Sequence, residues 1–125
     1  MNPRFKDKVA IVTGAGCVAA GWGNGRAIAV RLAEEGAFVL AVDRDPARLE
    51  ETLSLAGDAR ERILAHACDV TSSAEVAAMA QACVDRFGTI DILVNNAGGP
   101  PAGGPVEMAE EVWDSQVDVN LKSVF

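Results

Sequence analysis

Four short apolar segments alternate with four helical patterns along the chain, and this alternation limits the fold class more than any other feature. The first segment, "KVAIVT" at residues 8–13, is rich in β-branched residues and is typical of a strand covered on both faces. Strands that alternate with helices require parallel pairing and right-handed crossovers. The sequence therefore predicts an α/β fold with a doubly wound parallel sheet, with strands at residues 8–13, 37–43, 62–69 and 90–96.

The helical patterns have recognisable start signals. The pattern at residues 25–36 places apolar side chains on one face and charged ones on the other. Asp45 and Pro46 are typical of the N-cap and first residue of a helix, and Ser72 with Glu75 forms a capping-box pattern. We expect a helix to follow each of these signals.

The last helical pattern is predicted to begin near Val106. Its apolar residues recur on one side at helical spacing, and Asn120 lies on the same side. An amide among apolar side chains needs hydrogen-bond partners, so Asn120 has either a structural or a functional partner. The apolar side consists of Trp113, Val117, Leu121 and Val124.

The composition indicates one globular domain. Of the 125 residues, 50% are hydrophobic and 23% are charged, and no apolar run reaches the length of a membrane span or a signal-peptide core, so we expect a cytoplasmic protein. The net charge of −7 argues against nucleic acid as a partner. Cys17, Cys68 and Cys83 lack paired metal-ligand spacing, so we expect free thiols and no metal.

Five glycines are concentrated between the first strand and the first helix, in "TGAGCVAAGWGNGRA" at residues 13–27. Amide groups at a helix N-terminus lack intrahelical partners and carry the positive end of the helix dipole, so they suit a pyrophosphate. Gly14 and Gly16 can form the turn out of the strand, while Gly23 and Gly25 can let phosphate and backbone approach the helix start. A glycine loop of this kind is weak evidence until an acid is found at the end of the second strand.

That acid is Asp43, which follows Gly25 by 18 residues. A carboxylate at this place can accept hydrogen bonds from both ribose hydroxyls of an adenosine, and it repels a 2′-phosphate. Arg44 favours NADP instead, because a guanidinium can pair with that phosphate. We give Asp43 the greater weight and predict NAD as the cofactor, with NADP as the weaker candidate.

With these features placed, the chain resembles the short-chain dehydrogenase/reductase family over all of its residues. "TGAG…GNGRA" resembles the family's cofactor loop, and "CDV" at residues 68–70 resembles its adenine-binding segment. "NNAG" at residues 95–98 matches the family's most recognisable motif, and "VNLKSVF" at residues 119–125 resembles the helix of its catalytic asparagine. The resemblance implies a Rossmann-like dinucleotide-binding domain over residues 1–125. It also implies an oxidoreductase that interconverts a small-molecule alcohol and a carbonyl.

The resemblance assigns roles to individual residues. Asp69 would contact the adenine with Val70 beside it, and residues 99–105 would border the substrate pocket. Asn120 would take the place of the catalytic asparagine in a proton relay. The family's habit of pairing helices implies a homo-oligomer, a dimer or a tetramer, for the complete protein. The expected cofactor-binding residues are Gly14, Gly16, Gly23, Asn24, Gly25, Asp43, Arg44, Asp69, Val70, Asn96, Ala97 and Gly98.

Residues 17–22 are the first departure from the family pattern, because they lengthen the cofactor loop. This insertion leaves open which of Gly16, Gly21 and Gly23 serves as the family's middle glycine. It also leaves two interpretations of Trp22, which could cover the pyrophosphate or pack on the loop surface.

The second departure is that the sequence contains no tyrosine. The family's catalytic tyrosine, lysine and serine lie beyond the helix of Asn120, so we expect the chain to be the N-terminal part of a longer enzyme and to bind cofactor without turnover. A noncatalytic dinucleotide-binding or interaction module is the first alternative. An S-adenosylmethionine-dependent methyltransferase is the second, because it shares the glycine loop and the acid after the second strand.

Overall fold

The computed structural model describes residues 2–99 and 103–125, and within them strands and helices alternate as the sequence predicts. Short 3₁₀ segments at Gly57–Arg62 and Lys122–Val124 follow the second and last helices. The α/β prediction is therefore confirmed. In chain order the elements are β1 (Val9–Thr13), α1 (Asn24–Glu34), β2 (Phe38–Asp43), α2 (Pro46–Leu55), β3 (Ile63–Ala67), α3 (Ser73–Phe87), β4 (Ile92–Val94) and α4 (Glu110–Asn120).

The strands form one parallel sheet in the order β3-β2-β1-β4. Thr13 is in register with Val42, and Val12 is in register with Val94. The carboxyl ends of β1, β2 and β4 consequently lie at the same edge of the sheet. In open parallel sheets this edge is where ligands bind.

The sheet separates two apolar layers, which explains why its central strands are continuous hydrophobic runs. Alternate residues of β1 face opposite sides, so that Ala10 and Val12 pack with α1 and α2 while Val9 and Ile11 pack with α3. Every residue of β1 is buried. The buried helix residues in these layers are Ala29, Val30, Ala33 and Leu49 on one side and Met79 and Cys83 on the other.

The predicted start signals of the second and third helices hold, with one difference. The Asp45 side chain accepts a hydrogen bond from Ala47 N at 3.0 Å, and Ser72 Oγ accepts one from Glu75 N at 3.3 Å. The Glu75 carboxylate does not complete the box at Ser72, because it accepts from Asp69 N at 3.2 Å instead. Glu75 thus connects α3 to the loop after β3.

The predicted start of the last helix is wrong. The helix begins at Glu110 rather than near Val106, and Val106 lies in a turn before it. Within the described residues, none of the side chains of α4 is buried, and Trp113 is 60% exposed. The apolar spacing was that of a helix, but the described part of the chain offers no surface that covers this face.

Within the described residues, the fourth strand forms one edge of the sheet. β4 is three residues long, it pairs with β1, and it ends the sheet on that side within the described residues. Leu93 is 53% exposed on this strand. A short edge strand presents few unpaired backbone groups, which limits its tendency to pair with other chains.

Glu35, at the end of α1, joins the N-terminal segment to this helix. Its carboxylate accepts hydrogen bonds from Arg4 N at 3.2 Å and from the guanidinium of Arg31 at 2.5 Å. The backbone N–H of Arg4 and its guanidinium lower the pKa of Glu35, with a smaller contribution from Arg31. The charged form of this carboxylate is therefore the one that the fold stabilises.

A pKa that is lower in the folded state means that Glu35 stabilises the fold above the ordinary glutamate pKa and loses this effect as the pH falls through its folded pKa. We expect Glu35→Gln to reduce the free energy of unfolding at pH 7 and to flatten its decline from about pH 5 towards pH 2. Chemical denaturation across this pH range measures the effect. Glu34→Gln, at the exposed neighbouring position, is the control, and an equal change in both variants would contradict the assignment.

Candidate functional site

A cleft of about 620 Å³ opens at the carboxyl ends of β1, β2 and β4. All twelve residues that the sequence assigned to cofactor binding line it, although they come from five separate segments of the chain. The cleft also includes residues that were not predicted from the sequence, from the inserted loop, β2, the start of α2, the segment after β3 and α4. These additional residues are Cys17, Val18, Val42, Asp45, Pro46, Arg48, Cys68 and Val119.

The turn out of β1 brings backbone very close to the first turn of α1. Gly14 has a positive φ of 63°, and its carbonyl accepts a hydrogen bond from Asn96 Nδ2 at 3.2 Å. A side chain at Gly25 would lie only 2.8 Å from the carbonyl carbon of Gly14 and would overlap its oxygen and the Asn96 amide. Glycine is therefore required at position 25 because the end of β1 lies so close to the helix. The sequence predicted two reasons for this glycine, the approach of backbone and the approach of phosphate, and this contact is the first of them.

Thr13 connects the end of β1 to the "NNAG" segment after β4. Its buried hydroxyl accepts hydrogen bonds from Asn96 N at 3.0 Å and Ala97 N at 3.1 Å, and it contacts the Val94 carbonyl at 3.4 Å. The floor of the cleft therefore depends on a residue that the sequence analysis did not select. The available signal was a hydroxyl residue at the end of an otherwise apolar strand.

Asp43 is placed so that both carboxylate oxygens point at the loops around the cleft. One oxygen accepts from Gly16 N at 3.1 Å, and the other accepts from Asp45 N at 3.0 Å. These two bonds orient the carboxylate between the glycine loop and the start of α2. A carboxylate has about four acceptor positions, so two backbone donors leave room for further donors from a ligand.

Asp69 occupies the turn after β3, on the same side of the cleft as Arg44. Its Oδ1 accepts from Thr71 N at 2.9 Å and from Thr71 Oγ1 at 2.6 Å. These bonds from Thr71 lower the pKa of Asp69, and the nearby positive charge of Arg44 lowers it further. Asp69 is consequently ionised at neutral pH, and its charge partly balances that of Arg44.

The N-terminus of α1 faces the cleft at Gly23 and Asn24. Gly23 is the N-cap residue and has no side chain that could occupy the first amide groups of the helix, so these groups are available to an anion. Gly16 also lines the cleft, whereas the cleft lining does not include Gly21 among the described residues. Trp22 is absent from the same lining and is 58% exposed, which favours the loop-surface interpretation.

Asn120 holds the loop after β4 against α4. Its Oδ1 accepts from Gly99 N at 3.0 Å, and its Nδ2 lies within hydrogen-bond distance of the carbonyls of Gly99 and Gln116. Among the described residues, the cleft is lined by neighbouring Val119 rather than by Asn120. Its predicted catalytic role therefore stays a prediction. Residues 100–102, within the predicted border of the substrate pocket, lie outside the described residues.

The cleft fits a dinucleotide in size and in chemistry. Its volume lies within the usual range of small-molecule sites, and glycines allow ligand and backbone to approach closely at the helix start. Within residues 2–99 and 103–125, no group of three or more His, Cys, Asp or Glu side chains could hold a metal ion. In the same residues no helix is long and apolar enough to cross a membrane.

Comparison with known proteins identifies the family. A family model described as short chain dehydrogenase matches residues 8–125. The chain belongs to the short-chain dehydrogenase family. This membership disfavours the S-adenosylmethionine alternative. The chain spans about half the length of the curated short-chain dehydrogenase relatives that it matches.

Solved structures of short-chain dehydrogenases have the same fold. A Burkholderia xenovorans protein assigned to this family is 53% identical, with a TM-score of 0.93 over 98% of this chain and 49% of that one. A 3-ketoacyl-(acyl-carrier-protein) reductase from Brucella melitensis, complexed with NADH, is 38% identical, with a TM-score of 0.82 over 96% and 47% of the chains. An actinorhodin polyketide ketoreductase variant with NADPH is 40% identical, with a TM-score of 0.82 over 94% and 43%.

Proposed function

We propose that this chain is the cofactor-binding part of an NAD-dependent oxidoreductase that interconverts an alcohol and a carbonyl. The observation that carries the proposal is the carboxylate of Asp43, held at the cleft by the backbone N–H groups of Gly16 and Asp45. Family membership supports the reaction class. When bound, a nicotinamide dinucleotide supplies hydride exchange with the substrate carbon.

The charges around the cleft support NAD over NADP. Three carboxylates line it together with two guanidinium groups, so a 2′-phosphate would enter a site of net negative charge. Arg44, the cation that could receive this phosphate, already acts on Asp69. The lining residues concerned are Asp43, Arg44, Asp45, Arg48 and Asp69.

The family resemblance and the position of each residue support the remaining roles that we propose. The amide groups at the start of α1 would bind the pyrophosphate, with Gly14, Gly16, Gly23 and Gly25 allowing its approach. Asp43 would hold the ribose, and Asp69 with Val70 would border the adenine. Asn96, Ala97 and Gly98 would form the floor. Asn120 would keep the loop after β4 in place and serve a proton relay.

We further propose that residues 1–125 form the N-terminal, dinucleotide-binding part of a single-domain enzyme, which is a cytoplasmic homo-oligomer and acts on a small-molecule substrate. A polypeptide of these residues alone would bind cofactor without turnover, because it contains no tyrosine to act as the family's acid–base group. General acid–base catalysis commonly contributes about 10²–10⁴ in rate. Such a polypeptide would behave as a dinucleotide-binding module.

Titration with NADH and NADPH tests the proposal. We expect NADH to bind at least about tenfold more tightly, a difference of ~1.4 kcal/mol, and Asp43→Asn to remove most of this preference. Asp58→Asn makes the same change in charge in the 3₁₀ segment outside the cleft lining and should leave the preference unchanged. Equal or tighter binding of NADPH by the unmodified protein would refute the assignment to NAD, and binding of neither would refute the proposed function.

A further inference from the structure

A buried arginine lies directly behind the glycine loop. Arg26 is in the first turn of α1, and its side chain is 0% exposed. Its Nε donates to Thr52 Oγ1 at 2.8 Å, and its NH2 donates to the Arg48 carbonyl at 3.0 Å. Its NH1 donates to the carbonyl of Gly21, in the inserted loop. The guanidinium thus joins α1, α2 and the insertion.

Glu51, on α2, binds both Arg26 and the backbone of Gly21. Its Oε2 pairs with Arg26 NH2 at 3.3 Å, and its Oε1 accepts a hydrogen bond from Gly21 N at 3.1 Å. The carbonyl and the N–H of Gly21 are therefore both held, one by Arg26 and the other by Glu51. Gly21 has a positive φ of 95°, a conformation that glycine adopts without strain.

The first part of the loop is attached to the same helix. Thr52 Oγ1 donates to the carbonyl of Ala15 at 2.7 Å while it accepts from Arg26. Ala15 and Gly21 are thus both bound to neighbouring residues of α2. The chain between these two points includes Cys17 and Val18, which line the cleft.

General physical chemistry disfavours an arginine at this position unless it has a specific role. A cation in the first turn opposes the positive end of the helix dipole, and burial of a guanidinium costs several kcal/mol unless its donors are paired. Among the described residues, every buried side-chain nitrogen and oxygen has a hydrogen-bond partner. Three of the groups that satisfy Arg26 belong to α2, and the fourth is the loop carbonyl.

We propose that the Arg26–Glu51 pair positions the inserted loop, residues 17–22, so that its backbone meets the pyrophosphate of the dinucleotide. Arg26 does not itself belong to the described lining of the cleft, so it acts through the loop as a positioning residue. The inference rests on the proposed function, because the dinucleotide is the ligand whose binding it alters. According to this inference, contacts with α2 fix the conformation of residues 17–22.

Glu51→Ala is the first test, because the carboxylate is partly exposed. Its removal leaves the buried guanidinium of Arg26 in place with its three other acceptors. We expect the Kd for NADH, and that for ADP, to rise about tenfold through the loss of two charge-assisted hydrogen bonds. The Kd for adenosine, which has no phosphate, should change less than about twofold. Glu50→Ala removes a carboxylate from the exposed neighbouring position and should leave all three affinities unchanged.

Two further variants separate charge from hydrogen bonding. Glu51→Gln retains an acceptor for Gly21 N and loses the charge that pairs with Arg26, so its affinity for NADH should be intermediate. Arg26→Lys retains the charge but not the planar set of donors and should resemble Glu51→Ala. Arg26→Lys is the variant at greater risk of misfolding, because it alters a buried residue. If Arg26→Lys does not fold, Glu51→Ala and Glu51→Gln still test the proposal.

Hydrogen exchange at the Gly21 amide gives a readout without any ligand. We expect Glu51→Ala to accelerate this exchange, with exchange in β1 unchanged. Unchanged affinities together with a lower Tm would overturn the proposal and leave a purely structural network, as would equal weakening of all three ligands. If the unmodified protein binds none of them, the proposed function fails and the dinucleotide part of this inference fails with it, while exchange at Gly21 still decides whether Glu51 holds the loop.

Discussion

Replacement of Gly25 by valine is expected to abolish dinucleotide binding and to lower the free energy of unfolding by about 3 kcal/mol or more. The first added carbon would overlap the carbonyl of Gly14 and the amide of Asn96, and both of these groups are held by the end of β1. Neither can move without opening the floor of the cleft. Denaturant unfolding and NADH titration measure the two effects.

Gly99→Ala is the control for the added β-carbon. A side chain at Gly99 would meet no atom of the described residues within 4 Å, so its stability should change by less than about 1 kcal/mol. If Gly25→Val unfolded no more easily than Gly99→Ala, the close approach of α1 to the end of β1 would not be the reason for glycine at position 25.

Thr13→Val is expected to lower the free energy of unfolding by about 2–4 kcal/mol and to weaken NADH binding. Valine has nearly the shape of threonine, so the substitution removes the hydroxyl and leaves the N–H groups of Asn96 and Ala97 without their acceptor. A buried donor without a partner costs about 1–3 kcal/mol, and these two partly buried donors should fall at the lower end of that range. Denaturant unfolding measures the change in stability, and NADH titration measures the change in binding.

Thr13→Ser retains the hydroxyl and is the control. We expect it to lose only the contribution of a buried methyl group, about 1 kcal/mol, and to keep most of its affinity for NADH. A serine variant as unstable as the valine variant would show that packing of the methyl group, and not the hydroxyl, is what position 13 requires.

The fold was predictable because its signals are local and repeated. Runs of β-branched residues, the N-cap residues Asp45 and Ser72, and the strict alternation of strands with helices all point to the same parallel sheet. The last helix was misplaced because apolar spacing continues upstream of it through Val106 and Met108. The true start at Glu110 has two acidic residues in the first turn, which the helix dipole favours.

Some residues of the site could be predicted from the sequence, and others could not. Glycines and acids at strand ends could be selected from their place in the chain, and the structure brings them to one cleft. Arg26 could not, and the only signal for Thr13 was a hydroxyl at the end of an apolar strand, because the partners of both residues are distant in sequence and only the folded chain brings them together. In the sequence, nothing distinguishes Arg26 from an ordinary helix residue. Its burial depends on Glu51 and Thr52, which lie 25 and 26 residues further along the chain.

The hydrogen bonds that Thr13 Oγ1 accepts from Asn96 N and Ala97 N join residues 83 and 84 positions apart. Each of these contacts closes a long loop, and they require β4 to lie beside β1. A chain in which β4 is not paired with β1 would therefore lack the floor of the cleft. A ligand of this cleft would bind the native state and not the unfolded one, and at 100 times its Kd it would stabilise the protein by about 2.7 kcal/mol. The same contacts thus make the stability of the fold depend on whether the cleft is occupied.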